Sequence, residues 1–302
     1  MSGHVAVANA AENANIFRNG SRTFFYSSLF FPAHVRSDVS KLYGFMRVAD
    51  DLVDSVPQRP ERFAEFRADY AMARRGRKVE NEIVQAYVEM ANRHQFDGGW
   101  TDAFLEAMAS DLGEVRYQSI GDLRWYIYGA AEVVGLMSQR LLGLPEEAQP
   151  ASQLLGRAFQ YINFIRDIQE DLDMNRQYLP IEDLETAGLT DLSESSARAN
   201  PDAFRTFMEH QFERYRKWQK DAEQGLSWLP TRLRIPVKTA ADMYWWTAEQ
   251  IQDDPWLVFQ KKVKPSIPRI ILAASANASS LGFGDITERS EVRPAIRRSR
   301  RA

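Results

Sequence analysis

Two acidic clusters stand far apart in the chain, Asp50-Asp51-Leu52-Val53-Asp54 and Asp167-Ile168-Gln169-Glu170-Asp171, each inside an otherwise apolar helical pattern. Carboxylates are costly in apolar surroundings unless a cation or a partner compensates them. At four-residue helical spacing Tyr43, Arg47, Asp50 and Asp54 share one stripe, and Gln160, Asn163, Asp167 and Asp171 share another. Both stripes offer oxygen donors, which suit hard cations, and magnesium typically links protein carboxylates to substrate phosphates. Arg47 and Arg166 can neutralise the acids or hold phosphate oxygens. Either cluster alone reads equally well as a solvated acidic face with i,i+4 ion pairs. Both together, with Gln160 and Asn163 in register, point to two walls of a diphosphate site. There is no Gly-rich nucleotide loop: Gly98-Gly99 lacks a following Lys-Ser/Thr and reads as a turn. The diphosphate is therefore read as an organic leaving group, not ATP.

Helices must position these residues. Val39, Leu42, Met46, Ala49 and Val53 recur at 3-4-3-4 spacing, as nearly do Leu155, Ala158, Ile162, Ile165 and Leu172. Amphipathic stretches cover about 61–94, 102–118, 122–142, 202–227 and 237–260, with breaks at Phe31-Pro32, Val56-Pro57, Leu144-Pro145, Leu179-Pro180 and Asn200-Pro201. Alternating strand-like runs are absent. The pattern predicts a single all-α domain over 16–281, a flexible start at 1–15 and a polar, basic, disordered tail at 282–302.

Composition narrows the classes of function. The chain has 302 residues, a formal net charge of −3 and no cysteine. Disulfides, thiolate catalysis and Cys-based metal sites are excluded, and nucleic acid is not an expected partner. The N-terminal residues do not read as a signal peptide, and no apolar run approaches the roughly 20 residues needed to span a bilayer. A cytoplasmic protein, with peripheral contact at the inner face of the membrane, is expected.

The motifs resemble those of the squalene/phytoene synthase family of head-to-head prenyl transferases, most of all its bacterial and archaeal phytoene synthases. The resemblance lies in Ser21-Arg22-Thr23-Phe24, in Leu42 to Arg47 leading into the first acids, in Tyr128-Gly129-Ala130-Ala131-Glu132-Val133-Val134-Gly135, in Gln160 through Asp171, and in Arg176-Gln177-Tyr178-Leu179-Pro180. A weaker match runs from Tyr244 through Lys262. The resemblance implies an isoprenoid synthase helical bundle with a central cavity. It implies that Asp50, Asp54, Asn163, Asp167 and Asp171 hold magnesium, with manganese as a substitute, and that Tyr43 and Arg47 join the acids in catalysis. Ser21, Arg22, Thr23, Arg47, Gln160, Arg166, Tyr244 and Lys261 or Lys262 would contact the diphosphates. Phe24, Tyr43, Val133, Val134, Gly135, Met137 and Phe159 would line a tunnel for the tails. The chain departs from some relatives in carrying Gly20 where they have histidine, and lysines where they have arginine.

The implied reaction joins two geranylgeranyl diphosphates to phytoene through a cyclopropyl diphosphate. The alternative is squalene or dehydrosqualene synthesis from farnesyl diphosphate, with NADPH only if squalene is made. A terpene cyclase or a non-catalytic assembly factor on the same fold is more distant.

Overall fold

The computed structural model describes residues 16–18 and 20–280. The expected flexible start at 1–15, the tail at 282–302 and Leu281 lie outside the described residues. In chain order the elements are α1 (Arg22–Ser28), α2 (Ala33–Asp54), α3 (Pro60–Arg74), α4 (Glu82–Arg93), α5 (Gly98–Ser110), β1 (Val115–Arg116), α6 (Ile120–Ile127), α7 (Val133–Leu141), α8 (Gln149–Arg166), α9 (Ile168–Asp173), β2 (Arg176–Gln177), α10 (Ile181–Ala187), α11 (Glu194–Ala199), α12 (Pro201–Glu223), α13 (Thr231–Asp253), α14 (Leu257–Gln260) and α15 (Ile267–Ser280). A π-helical turn, Tyr128–Glu132, joins α6 to α7, and a 3-10 turn, Gln224–Trp228, joins α12 to α13.

Local chemistry starts these helices where polar caps stand. Ser21 accepts from the Phe24 N–H, Asn81 from the Val84 N–H, and Ser119 forms a reciprocal capping box with Asp122. The expected helix over 61–94 is in fact two helices, because Gly76 adopts φ +80° just after α3. The stretch 102–118 stops being helical at Ser110 and continues into β1, which pairs in parallel with β2 (Val115 with Arg176, Arg116 with Gln177). These two short strands are the only ones among the described residues.

The apolar stripe of α2 is buried as its spacing predicts, with Ala49 and Val53 fully inaccessible. Behind it Phe45 stacks on Tyr87 at 3.9 Å. The central helix is α8, which packs against α7, α12 and α13. Its contact with the π turn and α7 is nearly backbone on backbone. A Cβ on Gly135 would stand 2.1 Å from the Ser152 carbonyl oxygen, and one on Gly156 would stand 2.3 Å from that of Ala131. No larger residue fits either crossing without separating the helices.

Candidate active site

Three helices aim their C-terminal halves at one place. α2 brings Tyr43, Arg47, Asp50 and Asp54, α8 brings Gln160, Asn163 and Arg166, and α13 brings Tyr244; all line one cavity of about 710 Å³. This falls within the ~300–1,000 Å³ usual for small-molecule sites. The expected single helix through both ends of the second acidic stripe breaks at Asp167 (φ −101°, ψ 16°), where α8 gives way to α9. The Asp167 N–H still bonds the Asn163 carbonyl at 2.8 Å, and the Asp171 N–H bonds that of Asp167 at 2.9 Å. The break therefore bends the stripe without dispersing it, and Asp167 and Asp171 both face the cavity.

The acids outnumber the cations between them. Arg47 reaches Asp50 at 3.1 Å and Asp51 at 2.5 Å, and Arg166 forks onto Asp167 at 2.7 and 2.5 Å. Lys262 lies 3.1 Å from Asp167 and also pairs with Glu170. Burial, reinforced by the charge of Asp54, pushes the Asp50 carboxyl up to about 7. Burial and the charge of Asp167 hold Asp171 well above the usual carboxylate range. Asn163 Oδ1 is buried without a hydrogen-bond partner. Hard oxygen donors short of positive charge, with an unpaired amide oxygen among them, fit a divalent cation such as magnesium. Among the described residues no three carboxylates or imidazoles close into a cage of their own, and magnesium commonly completes its shell with water and phosphate oxygens.

Most of the residues expected at the site reach the cavity: Ser21, Arg22, Thr23, Phe24, Tyr43, Arg47, Asp50, Asp54, Val134, Gly135, Phe159, Gln160, Asn163, Arg166, Asp167, Asp171, Tyr244 and Lys262. Val133 and Met137 do not; both are fully buried in the core. The π turn inserts an extra residue ahead of α7 and rotates its register, so Val134 faces the cavity and Val133 turns away. Lys261 is exposed and outside the cavity. It is extended (φ −164°, ψ 149°), so its side chain and that of Lys262 diverge. Gly20 lies against Tyr43, whose hydroxyl would be 2.3 Å from a Cβ at residue 20. A histidine there would displace the ring.

Two residues with no role assigned from sequence complete the acidic wall. Arg176, 4% exposed, donates to Asp54 at 2.5 Å, to the Val53 carbonyl at 2.9 Å and to that of Asp111 at 3.2 Å. Asp111 lines the cavity and accepts from Tyr126 at 2.6 Å and Tyr178 at 2.9 Å. Burial nevertheless lifts its carboxyl to about 6. Arg176 stands in a recognised motif, but the contacts that give it work come from α2 and from the end of α5. Nothing local in the sequence marks Asp111.

Next to the polar end, Phe24, Phe159 and Tyr244 form a cluster of rings with centroids 4.5 to 5.9 Å apart. Beyond it the walls are apolar: Leu42, Met46, Phe104, Val134, Leu155, Leu226 and Leu229 among others. An acid-and-arginine mouth above a deep apolar pocket in an all-α bundle matches the isoprenoid synthase architecture that the motifs imply.

Comparison with known proteins narrows the class. The squalene/phytoene synthase family profile matches residues 17–269. Identity is 30% over 274 residues with the 15-cis-phytoene synthase of Pantoea ananas, covering 86% of this chain and 88% of that one. It is also 30% over 238 residues with the phytoene synthase of Pseudescherichia vulneris, covering 75% and 77%. The fold matches a dehydrosqualene synthase solved with a ligand (TM-score 0.82, 21% identity, 91% of this chain and 96% of that one). It also matches squalene synthase HpnC from Alicyclobacillus acidocaldarius (TM-score 0.74, 24% identity, 82% and 95%). The chain belongs to the squalene/phytoene synthase family and is a prenyltransferase of the head-to-head condensing kind.

Proposed function

We propose that this enzyme condenses two geranylgeranyl diphosphates to phytoene through a cyclopropyl diphosphate intermediate, with magnesium and release of diphosphate. The observation that carries the chain length is the 30% identity to two phytoene synthases over three quarters or more of the chain. The apolar pocket continues from the acidic mouth as far as Val39, near the start of α2. The likeness to a dehydrosqualene synthase favours the second reading, condensation of two farnesyl diphosphates.

In this reading Asp50, Asp54, Asn163, Asp167 and Asp171 hold the magnesium ions. Bound there, a divalent cation would supply positive charge against the departing diphosphate. Arg47 and Arg166 each keep N–H groups beyond those given to their carboxylates, and these, with Lys262, Ser21, Arg22 and Gln160, grip phosphate oxygens. Tyr43 and Tyr244 stay protonated, because burial raises both hydroxyls, so they donate to the same oxygens. The ring faces of Phe24, Phe159 and Tyr244 stand where an allylic cation would form next to the mouth. The apolar walls exclude water that would quench it.

The test is incubation with magnesium and either geranylgeranyl or farnesyl diphosphate, with and without NADPH, followed by hydrocarbon analysis. Phytoene is expected, with no dependence on NADPH. A thirty-carbon product formed with higher kcat/KM would replace this reading with the second.

A further inference from the structure

The apolar pocket has an end as well as a mouth, and one residue ties that end in place. α7 and the π turn before it run antiparallel to α8, because Ala131 meets Gly156 while Gly135, further along, meets Ser152. α8 reaches the acidic mouth at Asn163, about three helical turns past Ser152. α7 therefore ends on the side away from the acids. There Gly143 takes φ +68° and the chain turns through Leu142–Pro145 towards the start of α8. Leu142 and Leu144 of this turn wall the cavity, together with Val39, Leu226 and Leu229.

Gln139, near the end of α7, holds the turn by three hydrogen bonds. Its backbone carbonyl accepts from the Leu144 N–H at 3.1 Å. Its side-chain NH2 donates to the Leu144 carbonyl at 2.5 Å and to the Pro145 carbonyl at 2.8 Å. Two acceptors at one end of the amide fix that end as the nitrogen. The amide oxygen is left buried without a partner, on a residue that is 1% exposed and lines the cavity. A stranded amide oxygen lowers stability, and leucine or methionine would fill a similar volume without one. The backbone bond, with Gly143 in the left-handed region, already ends the helix. Stability alone thus gives no reason for glutamine here, whereas fixing the turn does.

We infer that Gln139 determines specificity for tail length: its clamp on the Leu142–Pro145 turn makes the end of the pocket a rigid stop for the prenyl tail. A tail long enough to press on Leu142 or Leu144 must break both amide bonds before the turn can move. The hydrophobic gain from one more isoprene unit is set against that loss. Without the amide, water can take the freed carbonyls, since Pro145 is exposed, and the turn can yield. Gln139 acts through the turn and touches no reacting atom, so it is a positioning residue. The inference rests on the proposed function, which fills the pocket with a prenyl tail.

The experiment is calorimetric titration of the full-length protein, in magnesium and detergent, with prenyl S-thiolodiphosphates of fifteen, twenty and twenty-five carbons. Their carbon–sulfur bond resists ionisation, so affinity is read without turnover. Wild type is expected to bind the twenty-carbon analogue about tenfold or more tighter than the twenty-five-carbon one. Gln139→Leu and Gln139→Met lose both side-chain bonds and are expected to close that gap by about tenfold, with fifteen-carbon affinity within about twofold of wild type. Gln139→Lys, whose ammonium can donate to both carbonyls at the C-terminal end of α7, is expected to keep the gap. An unchanged gap in the first two variants would overturn the inference, as would a wild type that binds the longest tail tightest. Equal weakening at all three lengths would also overturn it, because general loosening of the fold does not discriminate by length. Product analysis of wild type separates the two readings. A gap that closes as expected, in a protein that forms no coupled hydrocarbon, would uphold the stop and sink the proposed reaction instead.

Discussion

Replacing Asp111 by asparagine should flatten part of the pH dependence of stability. Asp111 is 3% exposed, and burial raises its carboxyl from an ordinary 3.8 to about 6, against the hydroxyls of Tyr126 and Tyr178 and the charge of Arg176. The folded protein thus keeps, between those two values, a proton that the unfolded chain releases. A group raised in this way contributes stability that is fully present below pH 3.8 and lost as pH rises through about 6. Two units at 1.36 kcal/mol each make the loss about 3 kcal/mol. Asparagine mimics the protonated acid, retaining one acceptor for a tyrosine hydroxyl and offering an amide N–H to the other oxygen. Urea unfolding followed by circular dichroism at pH 4 and pH 8 should show wild type losing about 3 kcal/mol more than Asp111→Asn across that interval. Asp171 titrates in both proteins and cancels in the comparison; Asp50 also feels the charge of Asp111, the smallest of the causes that raise it, so its contribution cancels only in part. Asp111→Ala strands two tyrosine hydroxyls at about 1–3 kcal/mol each, and should be weaker than wild type at both pH values. If wild type and Asp111→Asn changed in parallel with pH, the buried-charge account of this residue would be refuted.

Other outcomes follow from the same contacts. Asp50→Ala and Asp167→Asn should abolish turnover with the helical circular dichroism unchanged; substantial residual activity in either would remove that acid from the metal set. Magnesium should raise Tm more at pH 8 than at pH 5, because the Asp50 carboxyl, at about 7, holds a proton at the lower pH that must leave before a cation can bind; an equal rise at both would contradict this. Glu132→Gln leaves Arg157, its partner at 2.7 Å and 13% exposed, without a counter-charge, for an expected cost of about 3–5 kcal/mol in chemical denaturation. Gly135→Ala should cost about 1–3 kcal/mol by separating α7 from α8, measured the same way.

The sequence speaks clearly where one helix face does one job. Leu42, Met46, Ala49 and Val53 are buried, and Tyr43, Arg47, Asp50 and Asp54 turn to the cavity from the same helix. Periodicity alone carries both facts. It fails where backbone geometry changes between matched residues. The π turn separates the fates of Val133 and Val134, and an extended segment separates those of Lys261 and Lys262. The break at Asp167 escapes a periodic reading because its hydrogen bonds continue through it. Asp111 and Arg176 are hidden for another reason: each acquires its partners from segments distant in the chain, and neither has a local pattern that announces them.

The pairing of β1 with β2 also bears on the order in which the protein is assembled. It joins points about 60 residues apart, a closure that costs on the order of 3–4 kcal/mol in chain entropy. The contact between α7 and α8 is between neighbours in the chain and carries a far smaller toll. Local pairs of this kind form first, and the long loop closes onto structure that already exists. Arg176 therefore reaches Asp54 late, once helices on either side of the loop have formed locally. Leu226, Leu229 and Tyr244 follow both acidic clusters in the chain, so during synthesis the pocket gains its last walls after the acids have already emerged.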